Sequence, residues 1–104
     1  MMDLEKARSM IAGEGREKAE GLRMLRNAAN QGDVQATVEL GILYMQGNHV
    51  DQNTEEAAKW FNKAVLKDDP EAQYCLGMLY EYGDGVKQDL ERALDLYTEA
   101  AERN

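Results

Sequence analysis

The sequence predicts an all-α protein, a short solenoid of antiparallel helix pairs, on three observations. The chain repeats itself at a period of 36 residues, and its helix-start and helix-stop residues recur at that period. Its composition also favours helices over strands: Ala, Leu, Glu and Lys are abundant, and there is one proline.

Sliding residues 33–68 onto 69–104 makes twelve positions identical. Ordinary residue frequencies would give about two. The pairs are Asp33/Asp69, Ala36/Ala72, Leu40/Leu76, Gly41/Gly77, Leu43/Leu79, Tyr44/Tyr80, Gly47/Gly83, Val50/Val86, Gln52/Gln88, Glu55/Glu91, Ala57/Ala93 and Ala64/Ala100. Each unit reads as helix, loop, helix.

Residues 1–15 hold a short amphipathic helix with Leu4, Ala7, Met10 and Ile11 on one side, ending at Gly13-Glu14-Gly15. It is expected to cap the N-terminal end of the stack. Residues 16–32 read as the second helix of an incomplete unit, with Gly21, Met24, Leu25 and Ala28 before Gly32-Asp33. The full units are 33–68 and 69–104. Asp33 and Asp69 stand where an N-cap is wanted, and Pro70 takes the first helical position, where its missing N–H costs nothing. Ala36, Leu40, Leu43, Tyr44 and Gly47 fall on one stripe of the first helix, as do Ala72, Leu76, Leu79, Tyr80 and Gly83. Gly47 and Gly83 end those helices in a left-handed conformation. Asn53 and Asp89 cap the second helices, whose inner stripes are Ala57, Trp60, Phe61, Ala64 and Ala93, Leu96, Tyr97, Ala100.

Gly41 and Gly77 lie mid-helix, where glycine costs about 1 kcal/mol relative to alanine. That cost, met twice at one place, predicts a close helix crossing. The aromatic residues Tyr44, Trp60, Phe61, Tyr80 and Tyr97 are expected to fill the wider gaps between hairpins.

A-x-x-x-L-G-x-x-Y, a glycine, a short loop with valine, a cap, and A-x-x-W-F-x-x-A at this period resembles the Sel-1-like repeat, a subclass of the tetratricopeptide-like solenoids. Ala36, Leu40, Gly41, Tyr44, Gly47, Val50, Ala57, Trp60, Phe61 and Ala64 match one unit. Ala72, Leu76, Gly77, Tyr80, Gly83, Gly85, Val86, Asp89, Ala93, Tyr97 and Ala100 match the next. His49 departs from the loop glycine and Leu96 from the tryptophan, and Glu5 and Arg8 stand at the Gly and Tyr positions of the N-terminal segment. The resemblance spans roughly residues 17–104 and implies a single domain, a right-handed superhelix of about six helices that binds a protein or peptide.

Charge and cysteine content narrow the function classes. The formal charge is −8, divided as +1 over residues 1–30 and −9 over 31–104. An acidic body repels phosphate backbones, so nucleic acid is not expected as a partner. Cys75 is the one cysteine, which suits a reducing compartment, and no stretch has the length and apolarity of a leader or a membrane span. A cytoplasmic protein that does not bind membranes is expected.

The resemblance points to the concave surface formed by the first helices. There, Val38, Ile42, Met45, Tyr74, Met78 and Tyr82 make an apolar strip rimmed by Glu39, Glu71 and Glu81. Two readings remain: an open groove for an apolar or amphipathic segment, or ordinary core against neighbouring helices. The C-terminal helix offers a second surface. Leu90, Leu94, Leu96, Tyr97 and Ala101 are more apolar than one hairpin needs, and three readings stay open: a dimer face, continuation in a longer array, or a tolerated edge.

Candidates for chemistry are poor. His49 is the one histidine, in a turn beside Asn48, and Ser9 is the one serine. Neither has the partners of a metal site or a nucleophile, and Cys75 has no adjacent cation to lower its pKa. The pairs Glu55-Glu56 and Asp68-Asp69 suit helix N-termini. No cofactor, metal or catalysis is expected. The leading expectation is an adaptor or scaffold module; the alternatives are a self-assembling homodimer and an immunity or regulatory protein that blocks one effector.

Overall fold

The computed structural model describes residues 4–103; Met1, Met2 and Asp3, read above for a leader, and Asn104 lie outside them. Among the described residues there are six helices and no strand: α1 (Leu4–Ile11), α2 (Gly15–Asn30), α3 (Val34–Gln46), α4 (Thr54–Val65), α5 (Pro70–Tyr82) and α6 (Leu90–Arg103). Each helix packs on the next in chain order, which makes three hairpins stacked into a body of 42 × 26 × 18 Å. No helix among the described residues is long and apolar enough to cross a membrane.

The capping residues do the same work in both full units. Asp33 accepts from the Ala36 amide at 3.0 Å and Asp69 from the Ala72 amide at 2.9 Å. Asn53 and Asp89 accept from the Glu56 and Arg92 amides, both at 3.0 Å. Each such bond satisfies a helix-end N–H that has no intrahelical partner. Gly47 (φ 72°) and Gly83 (φ 64°) close α3 and α5 in the left-handed region, where L side chains are strained. The paired glutamines then acquire a purpose. Gln52 Nε2 donates to the Met45 carbonyl at 2.8 Å and Gln88 Nε2 to the Glu81 carbonyl at 2.9 Å, so each loop is tied to the helix it leaves.

The core divides into two clusters. One holds Ile11, Leu25, Ala28, Ala36, Leu40 and Trp60, where α1 to α4 meet; the other holds Val38, Phe61, Ala72, Leu76, Leu79 and Leu96, where α3 to α6 meet. Tyr44 touches both and receives a hydrogen bond from Arg26 at 2.6 Å.

The mid-helix glycines mark close crossings. A Cβ on Gly41 would lie 2.5 Å from the Phe61 ring, and one on Gly77 would lie 2.9 Å from the Tyr97 ring. Phe61 therefore fills the crossing within its own hairpin and also packs in the cluster that α4 shares with α5, whereas Tyr97 fills the crossing of the last hairpin. Gly21 makes a third such crossing: its Cβ would lie 2.8 Å from the Ala7 carbonyl oxygen.

Candidate functional site

Val38, Ile42 and Met45 follow one another at a spacing of four and three on one face of α3, and they differ in how deeply they are covered. Val38 is 4 % exposed and belongs to the core between hairpins, with its edge in a pocket shared with Val34, Gln35, Glu39, Asp69 and Glu71. Met45, seven residues on, is half-buried against the same cluster. Their counterparts on α5 are Tyr74 and Glu81. These border a pocket of about 730 Å³ with Pro70, Glu71, Tyr97 and Ala101, at the end of the stack and away from the concave side. Tyr74 is 54 % exposed and its ring meets that of Tyr97 at 5.6 Å.

Ile42 borders the opening between α1 and α3, and Met78 packs against the core cluster. Ile42 and Met78 are equivalent residues of successive first helices, each half-buried, and Tyr82 is 73 % exposed. Between α1 and α3 the surface sinks into a pocket of about 320 Å³, with Ile11, Leu25, Ile42 and Leu43 as apolar lining and Arg8, Glu39, Asn48 and His49 as polar lining. The sequence reading missed Arg8 and Ile11 here. Their signal was the amphipathic pattern of α1, read only as a cap.

The acidic rim also divides. Glu39 is paired with Arg8, whose Nε donates to it at 2.9 Å and whose Nη2 binds the same oxygen. A hydrogen bond to Glu39 is the main reason that the Arg8 pKa lies above its ordinary value. Glu81 accepts from the Tyr97 hydroxyl at 2.7 Å. Burial, and then this bond, push the Tyr97 pKa well above the usual tyrosine range. Of the three, only Glu39 borders the α1–α3 pocket, where Arg8 neutralises it, and Glu71 borders the pocket at the end of the stack.

Of the residues assigned to a dimer face, Leu90 (63 % exposed), Leu94 (64 %) and Ala101 are open to solvent, Tyr97 is half-buried, and Leu96 is fully buried in the core. His49 adopts φ 63° and is exposed at the rim of the α1–α3 pocket. Among the described residues no cluster of His, Cys, Asp and Glu has the arrangement of a metal site. Cys75 is buried, and desolvation first, then Glu71 and Asp69, push its thiol up to about 11 from 9.0. A raised pKa disfavours the folded thiolate, so this stabilisation is complete below pH 9.0 and is lost as pH rises towards 11. The folded chain is expected to resist iodoacetamide near about pH 8. Its urea midpoint is expected to fall between pH 9.0 and about 11 more than that of Cys75→Ala. Rapid alkylation of the folded chain would contradict this.

The family model for the Sel1 repeat matches residues 12–33, 34–69 and 70–104. The chain belongs to the Sel1 repeat family. Sel1 repeats form a non-catalytic scaffold fold and are in general protein-interaction modules. The chain is similar to the crystal structure of c5321, described as a protective antigen present in uropathogenic Escherichia coli strains displaying an SLR fold. That match has 31 % identity and a TM-score of 0.77, over 99 % of this chain and 26 % of that one. It is also similar to a Sel1 repeat protein from Oxalobacter formigenes, at 33 % identity and a TM-score of 0.79, over 95 % of this chain and 41 % of that one. The chain thus spans about a quarter and two fifths of the length of these two relatives. No curated protein matches it by sequence. Both Sel1 structures agree with the all-α solenoid expected from the repeat.

Proposed function

We propose that this Sel1 domain is an adaptor that holds a short segment of a partner protein along its concave side. The observation that carries this reading is the apolar-lined α1–α3 pocket, which Ile42 borders, and the next first helix adds Tyr82, 73 % exposed. An aromatic ring left in water is a ready anchor for an apolar side chain. The Arg8–Glu39 pair supplies donors and an acceptor to the backbone of such a segment. The reading includes no catalytic role and a cytoplasmic location, where the single thiol stays reduced.

The test compares the wild type with a Tyr82→Glu, Ile42→Thr double variant as bait in native lysate. The variant is expected to lose specific partners while keeping its helical circular dichroism and nearly its melting temperature. An identical set of bound proteins would sink the concave reading.

A further inference from the structure

Successive hairpins meet at two seams, and at each the long loop of the later hairpin, residues 47–53 or 83–89, lies beside the second helix of the earlier one. At the second seam the loop is fastened. Thr54 Oγ1, at the start of α4, donates to Asp84 Oδ1 at 2.8 Å. Gly85 (φ 78°) comes so close that a Cβ there would lie 2.4 Å from the Thr54 carbonyl carbon. Only a residue without a side chain permits that approach.

Thirty-six residues earlier the same three positions hold Lys18, Asn48 and His49. Asn48 Nδ2 turns back to Gln46 Oε1 of its own hairpin, at 2.7 Å. His49 keeps the left-handed conformation (φ 63°) but carries an imidazole where the glycine would lie against the helix. The loop therefore stands off from α2, across a pocket of about 470 Å³ lined by Lys18, Leu22, Val50 and Asp51. His49 lines both this pocket and the α1–α3 pocket, so one residue divides the two openings.

At their opposite ends the seams are alike. Short connections, residues 31–33 and 66–69, join the hairpins there. Lys67 Nζ donates to the Gly32 carbonyl at 2.8 Å, and Arg103 pairs with Asp68 at 3.1 Å. The first seam is thus held at its connection and open at its loop, whereas the second is held at both ends. The Arg8–Glu39 pair also crosses the first seam, but it joins side chains alone and presses no backbone against backbone.

We propose that the first seam is a hinge. The N-terminal hairpin turns about residues 31–33 and widens the α1–α3 pocket at its His49 end, while α3 to α6 move as one body. The device sets how wide that pocket stands and does not depend on what fills it.

Hydrogen exchange of the intact chain, with no partner present, tests this through matched amides. Asn48 and Asp84 donate to the Leu43 and Leu79 carbonyls, and Asn53 and Asp89 to the Tyr44 and Tyr80 carbonyls. Corrected for intrinsic rates, Asn48 and Asn53 are expected to exchange about tenfold faster than Asp84 and Asp89. Copying the fastened seam into the first, with Lys18→Thr, Asn48→Asp and His49→Gly, is expected to remove most of that difference. Spin labels separate a turning hairpin from a loop that moves alone. In a Cys75→Ala chain, labels on the exposed positions of Ser9→Cys and Gln46→Cys are expected to give a broad distance distribution, and labels at Gln46→Cys and Tyr82→Cys a narrow one. Equal protection of the two loops overturns the proposal, as does a difference that the triple variant leaves unchanged. Fast exchange with equally narrow distributions also overturns it, since the loop then moves without the hairpin.

Discussion

Phe61→Ala is expected to lower the unfolding free energy by about 3–5 kcal/mol, the usual range for emptying a buried aromatic site. A domain of this size has about 5–15 kcal/mol in all, so the variant is expected to lose a large share of its stability. The ring is fully buried, and its edge lies where the Cβ of residue 41 would be if that residue were not glycine. The site cannot collapse easily, because Gly41 has no side chain to move inward and its neighbours Ala57 and Ala64 are short. Tyr97→Ala removes the equivalent ring from the last hairpin and is expected to cost clearly less. Solvent already reaches Tyr97, and its hydroxyl is satisfied by Glu81 at a surface pocket. Urea titrations of the two variants measure the difference. Equal losses would mean that the last hairpin is packed as tightly as the middle one.

Much of this asymmetry was legible in the sequence. The caps at Asp33, Asn53, Asp69 and Asp89 and the closing glycines follow from local chemistry that needs no tertiary partner, and all act as the pattern required. The direction of the apolar strip was not legible. A first helix in a solenoid has its own second helix, a preceding hairpin and a following hairpin as neighbours, so an apolar stripe alone does not say which it meets. Val38 and Ile42 stand one turn apart on the same face, yet Val38 is 4 % exposed in the core between hairpins and Ile42 is half-buried at the α1–α3 pocket. A signal was available in the repeat itself. Where Val38 and Met45 become Tyr74 and Glu81, apolar residues give way to residues that tolerate water, which marks the stripe that is covered in one unit and open in the next.

The N-terminal hairpin escaped the repeat for a different reason. The loop between α1 and α2 spans residues 12–14, whereas that between α3 and α4 spans 47–53, so a rigid shift of 36 puts Glu5 and Arg8 at positions they do not fill. The close approach survives in another form. On α3 the glycine lies on the first helix and admits a ring from the second; in the N-terminal hairpin Gly21 lies on the second helix and admits the backbone of the first.

That difference makes Gly21→Ala more disruptive than Gly77→Ala. A methyl at Gly77 meets the half-exposed Tyr97 ring, which can move. At Gly21 it meets the Ala7 carbonyl oxygen and the Ile11 amide nitrogen, both at 2.8 Å, and only a shift of α1 as a body relieves the contact. Overpacking of this kind costs about 1–3 kcal/mol, against which the better helix propensity of alanine returns up to about 1 kcal/mol. The net loss is expected to fall on α1 alone, since α1 packs chiefly on α2. Amide exchange across residues 4–11 is expected to rise sharply while α4 to α6 keep their protection. With α1 displaced, Arg8 leaves Glu39 and Ile11 leaves the cluster around Leu25 and Trp60, so the concave pocket loses one wall. Binding on the concave side is then expected to fall without any change to Ile42, Met78 or Tyr82. Unchanged exchange in α1 would show that the hairpin yields elsewhere, and would remove α1 from the wall of the site.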